Sequence, residues 1–209
     1  MTKWNEIPAW HDMDPEVQQA EYEGQALAWE YRETCKVWLR HYTRMAKALV
    51  AAFGEEEVLD ILEKVWWDLQ YEGGKTWRED FDRDLRGALK ETFVRWHCGG
   101  LSLTTGQMAV ELKDDRWHLL HLYCKQKEVA LEMDSRKIGI SQCMGDMAAV
   151  RGWSPNIVMR FPNAQLRGNS YCYQIRDIVE DADPSEDEWS KEKSEKYGWR
   201  SIKKLEDEE

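Results

Sequence analysis

The sequence predicts an α+β fold, with N-terminal helices packed on an antiparallel sheet and a C-terminal helix and β-hairpin closing the chain. Three observations predict it. Apolar side chains between residues 15 and 100 recur every three to four positions, the period of an amphipathic helix. From about residue 101 the period shortens to two, as in MAVELKDDRWHLLHLYC and NSYCYQIRDI. One helix-like segment, ISQCMGDMAAV, separates the strands.

The elements follow in order. Residues 1–14 read as an extended arm, because Trp4, Ile7, Pro8 and Trp10 keep no helical spacing. Asp14 before Pro15 starts a helix, since Asp caps and Pro suits the first turn. That helix runs to about Phe53, with Ala28, Tyr31, Cys35, Trp38 and Tyr42 on one face, and Gly54 stops it. A second helix carries Val58, Ile61, Leu62, Val65, Trp66 and Leu69, and Gly73 and Gly74 are expected to end it. DFDRDLRGALKETFVRWH reads as a third, closing the helical region of residues 15–100. Residues 101–180 form an α/β ligand-binding region. It begins with two strands turning at Asp114 and Asp115, the second of them running to Cys124. A helix over about Ile140 to Val150 follows, then a strand broken near Pro162, a turn at Gly168 and the last strand. Residues 181–209 are acidic and charge-rich, and read as a solvated or weakly docked tail.

Composition narrows the function classes. The chain has 209 residues and a formal net charge of -11, so a nucleic-acid surface, which needs clustered Lys and Arg, is not expected. No secretory pattern opens the chain and no apolar run approaches a membrane span, so no membrane association is expected. Five cysteines, an odd number, read as reduced thiols and a cytoplasmic location. Twelve tryptophans suit aromatic pocket walls and subunit contacts, or simply a Trp-rich core. A homodimer is expected, because exposed aromatic segments are usually buried somewhere.

The candidate chemistry lies between Cys124 and Arg176. Cys143 and Asp146 stand three apart on one helix and share a face. Cys143 is the candidate nucleophile or thiolate anchor, and Asp146, a carboxylate beside that thiol, is the candidate to activate water or orient the thiol. Were Cys143 in the first helical turn, the dipole would favour its thiolate; the alternative is a small buried hydrophobe. Strand parity puts His118 on the face of Cys124, and Cys172, Gln174 and Arg176 together on another strand. Arg160 is the candidate holder of an anionic substituent, with an exposed strand-edge residue as the alternative. Trp96, Trp117 and Trp153 are the candidate pocket walls, with Cys124 and Cys172 lining the same site. Three thiols and a histidine would suit zinc, but no CxxC pair occurs, so no metal or cofactor is assigned. Phosphate-cradling glycine motifs, the GxSxG elbow and HExxH are absent from the sequence.

CMGD, GWSP and LRGNSYC, with Cys124, Gly139 and Arg160, resemble the L-2-amino-thiazoline-4-carboxylic acid hydrolase family over roughly residues 40–178. The resemblance implies hydrolytic opening of a small sulfur- and nitrogen-containing ring. The terminal hairpin is also similar to vinyl-reductase-type small-molecule-binding domains. The metal site of the sensors among them would match Cys172 and Gly168, but Phe161 and Ala164 stand where its Glu and first Cys belong. That resemblance implies a pocket for a small ligand, so a non-catalytic binding or sensor protein is the alternative to a hydrolase.

Overall fold

A computed structural model describes residues 15–80, 107–112, 115–179, 189–196, 200 and 202. The arm of residues 1–14, the third helix and Trp96 lie outside the described residues. Helix α1 spans Pro15–Phe53 and α2 spans Glu55–Asp80. Gly54 joins them at φ 96°, a left-handed conformation that glycine adopts without strain. Strands β1 (Gln107–Leu112) and β2 (Arg116–His121) are followed by α3 (Lys125–Glu132) and α4 (Arg136–Trp153). Strand β3 (Ile157–Asn163), a 3-10 turn at Gln165–Arg167 and β4 (Cys172–Ile178) make the terminal hairpin, and α5 spans Lys191–Lys196. The sheet is antiparallel in the order β1-β2-β4-β3. The α+β class and the terminal helix and hairpin are as the sequence predicts.

Helix α4 sits at the centre. From Ile138 to Trp153 most side chains are buried, and Gln142, Cys143 and Asp146 make the one face left partly open. Its Ile140, Met144, Met147 and Trp153 pack with Trp67 of α2, Trp117 of β2, and Ile157 and Met159 of β3 in one core. The α2 helix does not end at Gly73 and Gly74 but continues to Asp80. Gly74 is there for packing. A Cβ on it would lie 2.1 Å from the Ala149 carbonyl oxygen, and one on Gly152 would lie 1.9 Å from that of Tyr71. The two helices therefore cross with their backbones in contact, which only glycine allows at both points.

Three further elements differ from expectation. Cys124 does not belong to β2, which stops at His121; it is the N-cap of α3, and its sulfur accepts the Lys127 N–H at 3.2 Å. Helix α4 begins at Arg136, so Gly139 lies inside it, against Leu166 and Ala130, and Cys143 sits two turns in. The described part of the tail is docked rather than solvated. Trp189 and Ile202 pack on the core, Lys193 and Ser194 are buried, and Arg200 forks onto Glu63 at 2.9 and 3.0 Å. Glu63 has 0% exposure, so this arginine supplies the charge that a buried carboxylate needs. Asp60 and Glu56 accept from the same guanidinium.

Candidate functional site

The site forms where α4 meets α1, α2 and α3. Cys143 and Asp146 occur three residues apart on α4, so helical geometry turns both the same way. Cys172 opens β4 on its inward face, in register with His121, and Gln174 and Arg176 follow on that face. Cys124 approaches from the start of α3. Cys124, Cys143, Cys172 and Asp146 are close enough for their charges to act on one another, and Arg176 acts on Asp146.

Burial dominates the electrostatics. It pushes the Cys143 thiol well above its ordinary value, and the neighbouring Cys124, Cys172 and Asp146 push the same way. Cys172 is pushed up to about 12, mainly by burial, against the Gln165 N–H that its sulfur accepts at 3.2 Å. Cys124 is raised by burial, against the backbone donors of its cap. Cys143 is not in the first turn, where the dipole would have favoured its thiolate. The residue lies too far along α4 for the dipole to reach it, and all three thiols are held protonated at neutral pH.

Asp146 is the group left with titratable chemistry. Burial raises its carboxyl from 3.8 to about 6, against the opposing charges of Arg176 and Lys125. Arg176 itself is lowered to about 10 by burial, with Asp146 acting against the shift. The Asp146 side chain is nevertheless exposed to solvent where it lines a half-open cavity. That cavity holds about 250 Å³ between the four helices. Its aromatic and aliphatic walls are Trp38 and Leu39 of α1 and Trp66 of α2. Polar groups converge on it from Gln70, Gln126, Gln142 and Lys125, with Cys35 at one side. Trp66 is fixed by a relay through three helices. Its indole N–H donates to the Tyr42 hydroxyl at 2.9 Å, Tyr42 lies 3.3 Å from Ser141 Oγ, and Ser141 donates to the Ile138 carbonyl at 2.7 Å. Trp38 stacks on Tyr42 at 5.8 Å and meets Trp66 edge-on at 6.0 Å. Ion pairs from Arg32, Lys36 and Arg40 to Glu128 and Glu132 tie α1 to α3 across the site.

Other expected site residues lie elsewhere. Trp117 and Trp153 are core residues and contribute no cavity wall. Arg160 is exposed on an edge strand and pairs with Asp177, which also takes Arg116 at 2.6 Å. His118 points away from the core, and its Nδ1 lies 2.6 Å from the Tyr173 hydroxyl; His121 is the inward histidine, because Cys124 lies off the strand and does not share its parity. Among the described residues no three His, Cys, Asp or Glu side chains are placed to hold a metal ion. Cys35, Trp38, Trp66, Lys125 and the three glutamines were not anticipated. The stripes holding Cys35 and Trp38 on α1 and Trp66 on α2 were visible in the sequence, but nothing there said that they enclose a space.

An α+β protein with a helix-walled cavity and a raised carboxyl is the class that fold and site define. A family model for L-2-amino-thiazoline-4-carboxylic acid hydrolase matches residues 36–174, and the chain belongs to that family. No curated protein matches it. Among solved structures it is similar to the phenol-responsive sensory domain of the transcription activator PoxR, crystallised with phenol. The TM-score is 0.49 with 11% identity, over 76% of this chain and 81% of that one. No helix among the described residues is long and apolar enough to cross a membrane.

Proposed function

We propose that the protein is a hydrolase that opens a small cyclic C–N or amide-like substrate in the cavity between α1 and α4, with Asp146 as its general base. The reading rests on one observation above all: a carboxyl raised to about 6 that faces an otherwise largely aromatic and amide-lined space. A base titrating just below neutral pH is ionised when water arrives and still basic enough to take its proton. The family name supplies the substrate class, a five-membered ring with a ring carbon between heteroatoms and a carboxylate.

In this reading Asp146 takes a proton from a water as its oxygen bonds to that ring carbon. The C=N pair moves onto the ring nitrogen as the oxygen bonds, and re-forms the double bond as the carbon's bond to the departing sulfur breaks. The protonated Asp146 returns its proton to that sulfur, and the remaining hydroxyl proton shifts to nitrogen, leaving a thiol and a urea group. Lys125 is the cation available at the cavity for a substrate carboxylate. Gln70, Gln126 and Gln142 offer neutral donors and acceptors, and Trp38 and Trp66 stack on the ring. Cys143, Cys124 and Cys172 act here as protonated, weakly polar neighbours that keep water from behind Asp146, not as nucleophiles. The test is ring opening of 2-amino-thiazoline-4-carboxylate and related cyclic amidines by wild type, Asp146→Asn and Cys143→Ser. Asp146→Asn is expected to lose 10²–10⁴-fold in kcat, the usual contribution of a general base, while Cys143→Ser retains most of it. Full turnover in Asp146→Asn would end this mechanism. Tight binding of these ligands with no turnover by wild type would favour the non-catalytic binding protein instead.

A further inference from the structure

The α1–α2 hairpin carries an apolar surface that the core does not use. On α1 the buried row is Arg32, Leu39, Thr43 and Ala46. Helical spacing places Trp38, Met45 and Leu49 on a different side, beside Tyr42, which meets Trp66 of α2. On α2, Ile61, Val65 and Leu69 recur every four residues and lie opposite its buried row. Both rows therefore open on the outer side of the hairpin. Met45 is 69% exposed, Leu69 60% and Trp38 54%, and Phe53 at the turn is exposed as well. Flanking that row on α1 are His41, Ala48 and Ala52, all exposed. The charged groups near it are paired: Arg40 pairs with Glu132, Lys47 donates to the Met133 carbonyl, Lys64 pairs with Asp68, and Lys75 pairs with Glu72 at the far end of the α2 row.

We propose that this face is the interface between two copies of the chain, and that the second copy roofs the cavity at Trp38. Area and charge support that occupant. The exposed apolar side chains together present on the order of 800 Å², about what one partner contributes to a standard interface and more than monomers usually leave bare. A two-fold interface must complement itself, and a strip whose few charges, Asp68 and Glu72, are already ion-paired within α2 does so. For a chain of net charge -11, it is also the surface on which two copies repel each other least. Small alanines let helices approach closely. Trp38 belongs both to the cavity wall and to this strip, so a helix laid across it would narrow the cavity mouth.

The experiment is sedimentation of the full chain without substrate from about 1 to 100 µM, a range that brackets micromolar affinity. Its outcome is therefore separate from the hydrolase reading. Wild type is expected to be a dimer, and Met45→Glu and Leu69→Glu to weaken it at least tenfold with an unchanged circular dichroism spectrum. Both side chains are over half exposed, so folding tolerates the change; Met45→Gln and Leu69→Gln provide a milder pair. Alkylation of Cys35, followed by peptide mass, is expected to be several-fold faster in the weakened variants. A monomeric wild type, as when another segment of the same chain covers the strip, overturns the proposal. So does a dimer that none of the four substitutions weakens. Equal Cys35 rates in dimer and monomer overturn the roof.

Discussion

Replacing Asp146 by Asn should stabilise the protein, and only above a certain pH. The carboxyl rises from 3.8 to about 6 on folding, so the folded state holds its proton more tightly than the unfolded chain. Below about pH 3.8 the group is neutral in both states and contributes nothing that Asn lacks. As pH climbs towards 6 the unfolded chain ionises freely while the fold resists, and stability is lost; above 6 the loss is complete. At 1.36 kcal/mol per pH unit the ceiling is about 3 kcal/mol. Water in the cavity screens part of it, leaving about 1–2 kcal/mol. For a chain of this size that is roughly 2–8 °C in Tm. Thermal unfolding followed by circular dichroism should therefore give coincident curves for wild type and Asp146→Asn near pH 4. By pH 8 the variant should melt higher by that amount. Equal melting temperatures at pH 8, or a lower one for Asn, would refute the claim that burial holds this carboxyl up. A carboxyl kept at a cost to stability is the trade expected where function rather than folding selects the residue.

Two other expectations are direct. Cys143 and Cys172 should resist alkylation in the folded protein up to about pH 9 and label rapidly in denaturant, because burial keeps both thiols protonated; fast labelling in the native state would contradict the geometry. Arg200→Ala should destabilise by about 3–5 kcal/mol, since it strands the buried Glu63 charge. Adding Glu63→Gln should recover part of that in chemical denaturation, and no recovery would mean that the tail contributes through packing alone.

Much of the architecture was legible because periodicity reports it directly. The long α1, the α2 stripe, the strand alternation at β2 and β4, and the terminal turn at Gly168 all follow from spacing. Glycine was legible in position but not in purpose. At Gly74 it looks like a stop signal, and only the neighbouring α4 backbone shows that it permits contact. The Cys124 assignment failed because an apolar run, WHLLHLYC, continues past the strand it begins. Parity counted through that run chose His118 over His121. Cys143 and Asp146 were legible as a pair, since three-residue spacing fixes a shared face. Their protonation was not, because it depends on what buries them. Arg176 was visible beside Cys172 in the alternation, whereas Arg160 stood out by motif and proved to belong to an exposed ion pair.

The glycine crossing has a consequence for how anything enters. With backbone pressed on backbone at Gly74 and Gly152, α2 and α4 are locked against sliding past each other. The opposite wall is held by softer means, by ion pairs to α3 and by a single glycine hinge at residue 54. For a ligand reaching that cavity, α1, held by ion pairs and by one buried row, would therefore be the wall that costs least to displace.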